Sequence, residues 1–147
     1  MIQRIQTVYL LISIFLTGLL LWLPLADITS GGIVYLFDIS GIHKGEELVY
    51  NGLPLVIFLI IIIALHVAVV FLYRKRIAQI RILVFTIILL LGLFGIFFYF
   101  AYMGFEGAKA SFKIPAAFPL VVIILDYLAI RSIGKDEALI RSLNRIR

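Results

Sequence analysis

The sequence predicts an all-α, polytopic membrane protein built as a bundle of four transmembrane helices. Three observations predict it. The 147 residues are 64% hydrophobic and only 14% charged, against about 45–50% apolar and about 25% charged in soluble domains. A water-soluble fold of this size has too much surface to carry so few charges, and the mean hydropathy is +1.19. The apolar residues arrive in four blocks, each long enough to cross a hydrocarbon core of about 30 Å at about 1.5 Å per helical residue. Helix is the required form, because lipid offers no partner to backbone N–H and C=O groups. One domain over residues 1–147 is expected.

The first block, "TVYLLISIFLTGLLLWLPL", covers residues 7–25. It follows a basic start, "MIQR", but exceeds the about 7–15 apolar residues of a signal peptide and has no clean small-x-small cleavage site. It reads as an uncleaved signal anchor. The chain has no cysteine, which removes disulfides, thiol redox chemistry, Cys-ligated metals and lipoprotein processing.

Residues 26–53 form the largest connection, read as a short extracytoplasmic loop. Asp27, Asp38, Glu46 and Glu47 against Lys44 make it acidic, and "IVYLF" and "ELVY" are β-prone runs separated by Gly and polar residues, as in a small hairpin. Asp38, His43, Glu46 and Glu47 are metal-ligating types, but their spacing matches no metal motif and reads as a solvated acidic loop. No metal and no cofactor is expected.

The second block, "PLVIFLIIIIALHVAVVFLY", is 54–73, and the third, "ILVFTIILLLGLFGIFFYFAYM", is 82–103. Between them "RKRIAQIR" carries Arg74, Lys75, Arg76 and Arg81. The fourth block, "IPAAFPLVVIILDYLAIRSI", is 114–133; Pro115 suits a first helical turn, and Pro119 loosens the turns after it. The tail, 134–147, reads as a separate amphipathic helix: Asp136 and Glu137 early, Arg141, Arg145 and Arg147 late, with Leu139, Leu143 and Ile146 on one face. Ten of the 13 basic residues fall on one side of these blocks. The positive-inside rule then places both termini and the basic loop in the cytoplasm. Trp22, Tyr99 and Tyr102 fall near one interface, Tyr9 and Tyr73 near the other. Arg74, Lys75, Arg76, Arg81, Arg141, Arg145 and Arg147 are the expected contacts to anionic headgroups or to a partner. So few basic residues make no nucleic-acid module.

Asp126 sits inside the fourth block. An aspartate at a span's centre costs about 2.5–3.5 kcal/mol, and each Leu, Ile, Val or Phe offsets about 0.3–0.6. It should therefore face other helices rather than lipid. His66 lies within about 4–5 Å of the same depth by helical rise. Ser13 and Thr86 fall in the same inner half, so Ser13, His66, Thr86 and Asp126 are expected to form a buried polar cluster, with Tyr127 beside it. Three roles are open. The cluster can hydrogen-bond between helices for about 0.6–2 kcal/mol, Asp126 and His66 can relay a proton or ion, or Asp126 can reach Arg131, Arg74 or the interface. Ala64, Ala68, Gly92, Gly95 and Gly18 mark sites of close helix approach. No HExxH, Gly-rich phosphate loop or paired intramembrane aspartate is present, and an enzyme is not expected.

"MIQRIQTVYLL", "LPLA" and "LAIRSIGKDEALIRSLNRIR" resemble an uncharacterised family of small four-span inner-membrane proteins of Bacteroidota, a domain of unknown function, along essentially the whole chain. The resemblance implies a bacterial inner (cytoplasmic) membrane protein and brings no activity and no site residues. The expected function is a non-catalytic accessory or scaffold subunit of an inner-membrane assembly, with membrane lipids and either a protein partner or a second copy as contacts. The alternatives are a small proton-coupled transporter or channel using Asp126 and His66, and a lipid-handling protein.

Overall fold

The computed structural model describes residues 3–103, 107 and 109–144. The expected all-α bundle is overturned: the helices share the fold with a five-stranded antiparallel sheet, giving a mixed α/β architecture. In chain order the elements are α1 (Gln3–Leu19), β1 (Ala26–Ser30), β2 (Ile33–Asp38), β3 (Gly41–Lys44), β4 (Glu47–Asn51), α2 (Leu53–Phe71), α3 (Arg76–Met103), β5 (Lys109–Phe112), a 3₁₀ turn (Ile114–Ala117) and α4 (Phe118–Asn144).

The acidic loop is the sheet. It folds into a meander of four strands rather than one hairpin, and β5, from the distant connection between α3 and α4, adds to β1 to give the order β4-β3-β2-β1-β5. Ala26 faces Phe37 on one side and Phe112 on the other; Ile28 faces Tyr35 and Ala110. Strand residues alternate faces, so Ala26, Ile28, Phe37 and Ile42 all point to the helix ends and are fully buried there. Phe37 stacks on Phe100 and meets the edge of Phe97, with centroids 6.1 Å away in both cases. A sheet this small gains its stability from such a docked face.

The four helices contact one another in the cyclic order α1, α2, α3, α4 and back to α1. Their buried positions recur at alternating spacings of three and four: Leu55, Leu59, Ile62, His66, Val69 on α2, and Val122, Asp126, Ala129, Ile133, Asp136 on α4. That is the seam of helices crossing at a shallow angle. The apolar interior has two parts. The larger joins the sheet to the upper helices through Leu20, Leu59, Leu90 and Val122; the smaller holds Leu10, Val69, Leu83, Ala129 and Ile133 near the far end.

Helix lengths also differ from expectation. Three helices are long and apolar enough to cross a membrane, within Leu53–Phe71, Arg76–Tyr102 and Ile114–Ile140; the apolar part of α1, Ile5–Leu19, is shorter. α1 unwinds through turn bonds from Leu21 N to Gly18 O and from Trp22 N to Leu19 O, both 3.1 Å, because Pro24 and β1 follow. The basic connection is mostly helix: Arg76 opens α3, and Arg81 lies inside it. The tail is not a separate helix, since α4 runs unbroken from Phe118 through Gly134 to Asn144.

Candidate functional site

Between the two apolar parts lies one buried polar layer. It holds Ser13 and Thr17 from α1, His66 from α2, Thr86 from α3 and Asp126 from α4, all with no exposed surface. Each occupies a seam position that an apolar residue would otherwise fill. Asp126 is the hub. Its Oδ1 accepts from Ser13 Oγ at 3.1 Å, and both of its carboxylate oxygens lie 3.0 Å from His66 Nε2.

The other imidazole nitrogen fixes the proton count. His66 Nδ1 is 3.0 Å from the carbonyl oxygen of Ile62, one turn earlier. A carbonyl can only accept, so Nδ1 carries a hydrogen. One further proton then lies between Nε2 and Asp126, on either side, and in both arrangements the pair is neutral overall. A buried charge pair with its remaining atoms hydrogen-bonded is the form that low-dielectric surroundings tolerate. The order is also unlike a nucleophilic triad, since the serine meets the carboxylate and not the imidazole.

Thr86 shares the layer without joining the hub. Its hydroxyl donates to Ile82 O at 2.9 Å within α3. Thr17 likewise turns back to Ser13 O at 2.7 Å. Tyr127 points outward and is exposed. So the structure brings Ser13, His66 and Asp126 together, keeps Thr86 at their level, and excludes Tyr127. Asp126 is bound to His66 rather than to Arg131 or Arg74.

A second polar layer lies toward the far end and was not foreseen. Gln6 Nε2 donates to Asp136 Oδ2 at 2.5 Å, tying α1 to α4. Gln79 Nε2 donates to Val69 O at 2.8 Å, capping the carbonyl end of α2 from α3. Asp136 therefore serves as a buried cross-link, not as the first-turn acid of a tail helix. Seam spacing marks all three: Gln6 precedes Leu10 by four, Gln79 precedes Leu83 by four, and Asp136 follows Ile133 by three.

Among the basic residues, Arg74, Lys75 and Arg81 are exposed and Arg76 is partly buried. The backbone of Arg141 is helical, while Arg145 and Arg147 lie outside the described residues. In the sheet, Asp38 Oδ1 closes the β2–β3 turn by accepting from Ser40 N at 2.7 Å, and His43 Nε2 lies 2.9 Å from Ser40 Oγ. Asp38 and His43 thus meet, but Glu46 in the next turn and Glu47 at the start of β4 stay exposed, and no metal-holding group of three or more ligands occurs among the described residues. An added Cβ at Gly92 would reach Phe58 at 3.5 Å, whereas Gly18 and Gly95 have open space around them.

Comparison with curated proteins and with solved structures finds no match. The family described as "Domain of unknown function (DUF4293)" matches residues 2–146. From near its first residue to near its last, sheet and helices alike, this chain belongs to that family.

Proposed function

We propose that this chain is a multi-pass protein of a bacterial inner membrane and serves there as a non-catalytic accessory or scaffold subunit. The observation that carries the reading is the sheet's outer surface. β4 is exposed along all five residues, including Leu48 and Val49. Across the strands Asp27, Leu36, His43 and Leu48 form one row on the face turned away from the helices. Apolar residues on the lipid-facing sides of long helices need no protein partner; apolar residues on a sheet beyond the helix ends do. An unpaired strand edge rich in such residues is a template for a second chain.

The membrane placement is supported by the three long apolar helices and by polarity along their axis. The sheet lies at one end, while Arg74, Lys75, Arg76, Arg81 and Lys135 lie toward the other. Under the positive-inside rule this polarity supports a topology with the sheet outside and both termini in the cytoplasm.

The test is a mild-detergent pulldown of the tagged protein, read by mass spectrometry and size. A stoichiometric partner is expected with wild type and Asp126→Asn, and is expected to be lost with the double substitution Leu36→Lys, Leu48→Lys. A lone, monodisperse wild-type chain would sink the scaffold reading. A proton-coupled carrier is the second reading, favoured by the buried contact of His66 with Asp126. It requires that Asp126→Asn abolish a proton-linked flux in proteoliposomes, and unchanged flux would remove it.

A further inference from the structure

A cavity of about 470 Å³ opens at the end of the helices opposite the sheet, between the start of α1, the end of α2 and the start of α3. Its polar lining comes from Gln6, Thr7, Tyr73, Arg76 and Gln79, and its apolar wall includes Val8 and Val70. The amide nitrogens of Gln6 and Gln79 are committed to Asp136 and Val69. Arg76 differs. Its Nη1 is buried and has no hydrogen-bond partner among the described residues. A guanidinium N–H held out of water without an acceptor carries a desolvation penalty that an anion would remove.

We propose that this cavity holds the phosphate of an anionic phospholipid, anchored by Arg76, with an acyl chain lying along Val8 and Val70. The inference rests on the membrane placement proposed above and goes beyond the scaffold reading. Depth supports it. Arg76 precedes Ile82, where the apolar stretch of α3 begins, by six residues, or about 9 Å. The headgroup layer on each side of a bilayer is about 5–8 Å thick, which puts the backbone of Arg76 at the outer limit of that layer, with the phosphates within the reach of its side chain. Charge supports it as well: Arg74 and Lys75, both exposed, follow the lining residue Tyr73 and precede the lining residue Arg76 in the chain. Tyr73 Oη accepts from Arg74 Nε at 3.2 Å, which leaves the phenolic hydrogen to donate to a phosphate oxygen.

The experiment uses the full chain in detergent, stripped of lipid and titrated by native mass spectrometry. The probes are phosphatidylglycerol, phosphatidylcholine and inorganic phosphate. Saturable binding of one phosphatidylglycerol is expected, weakened about tenfold or more by Arg76→Gln and less than about twofold by Arg81→Gln, which removes an equal charge from the same helix. Val8→Trp, which fills the mouth and leaves the guanidinium intact, should block binding too; it keeps the test valid if Arg76→Gln fails to fold. Equal weakening by the Arg76 and Arg81 variants would overturn the site in favour of diffuse charge. Indifference between the two lipids, or displacement by millimolar inorganic phosphate, would overturn the lipid as its occupant. A chain that is monodisperse without detergent would remove the membrane reading and this proposal together.

Discussion

Replacing Asp126 with Ala is expected to lower stability by about 3 kcal/mol, whereas Asp126→Asn should cost less than about 1 kcal/mol. The contrast follows from the hub's geometry. Alanine strands His66 Nε2 and Ser13 Oγ without a partner at full burial, and breaking a buried pair from one side costs about 3–5 kcal/mol in soluble proteins. In membranes single interhelical hydrogen bonds average only about 0.6 kcal/mol, because the unfolded chain also finds partners; the lower end of the range is therefore expected. Asparagine keeps the shape. Its carbonyl can take the place of Oδ1 and accept from Ser13, while its amide nitrogen takes the place of Oδ2 and donates to a neutral His66. His66 Nδ1 still donates to Ile62, so every polar atom remains paired. Denaturant unfolding in detergent micelles measures both changes. The double substitution His66→Leu, Asp126→Leu should be more stable than either single one, since an apolar pair replaces a neutralised charge pair with little loss. If the two single and the double substitutions simply add, the contact contributes nothing to folding.

Much of that layer was legible in the sequence. Helical rise is constant, so counting from the charged ends placed Ser13, His66, Thr86 and Asp126 at one depth. Counting could not tell which hydroxyl would leave its own helix. Thr86 satisfies itself on Ile82, as threonine in helices commonly does, while Ser13 reaches across to Asp126. The second layer was legible too, through seam spacing, but Gln6 and Gln79 lie outside the apolar blocks and Asp136 sat in a stretch that read as a separate amphipathic helix. The sheet was the larger miss. "ADITS" and "KASF" carry no strand signal of their own; they pair because Phe37 and Ile28 need a surface, and β5 comes from more than 70 residues beyond β2. Non-local pairing leaves little trace in a local window. Gly134 misled in the opposite sense. The tail from 134 read as a separate helix, yet α4 runs through Gly134 and carries Asp136 onto Gln6, which rewards the continuation.

Gly41→Ala and Gly52→Ala are each expected to cost more than about 4 kcal/mol, the range reached only by a few identifiable defects. These two glycines let β3 and the end of β4 approach backbone to backbone. A Cβ on Gly41 would fall 2.0 Å from Tyr50 O and 2.8 Å from Gly52 N; one on Gly52 would fall 2.5 Å from Gly41 N and 2.6 Å from Ile39 O. The obstructing atoms are backbone and cannot swing aside. Gly41 also has φ +140, in a region that side-chain-bearing residues rarely enter. Relief requires β4 to move off β3, which breaks the bond from Gly52 N to Ser40 O at 2.7 Å. The displacement does not stop there. Gly52 O accepts from Leu55 N at 2.8 Å and Val56 N at 3.1 Å, so it forms the first turn of the helix that carries His66. Ile42, fully buried on β3, would be dragged from the interior at the same time. Gly45→Ala is the matched control: φ is +64 there, but nothing lies within 4 Å of the new Cβ, and the left-handed conformation alone costs about 1–2 kcal/mol. Thermal unfolding of the three variants in one detergent separates steric exclusion from backbone preference. If Gly52→Ala, at a position with ordinary φ, melts with Gly45→Ala, the close approach of β3 to the start of α2 is not what holds the sheet on the helices.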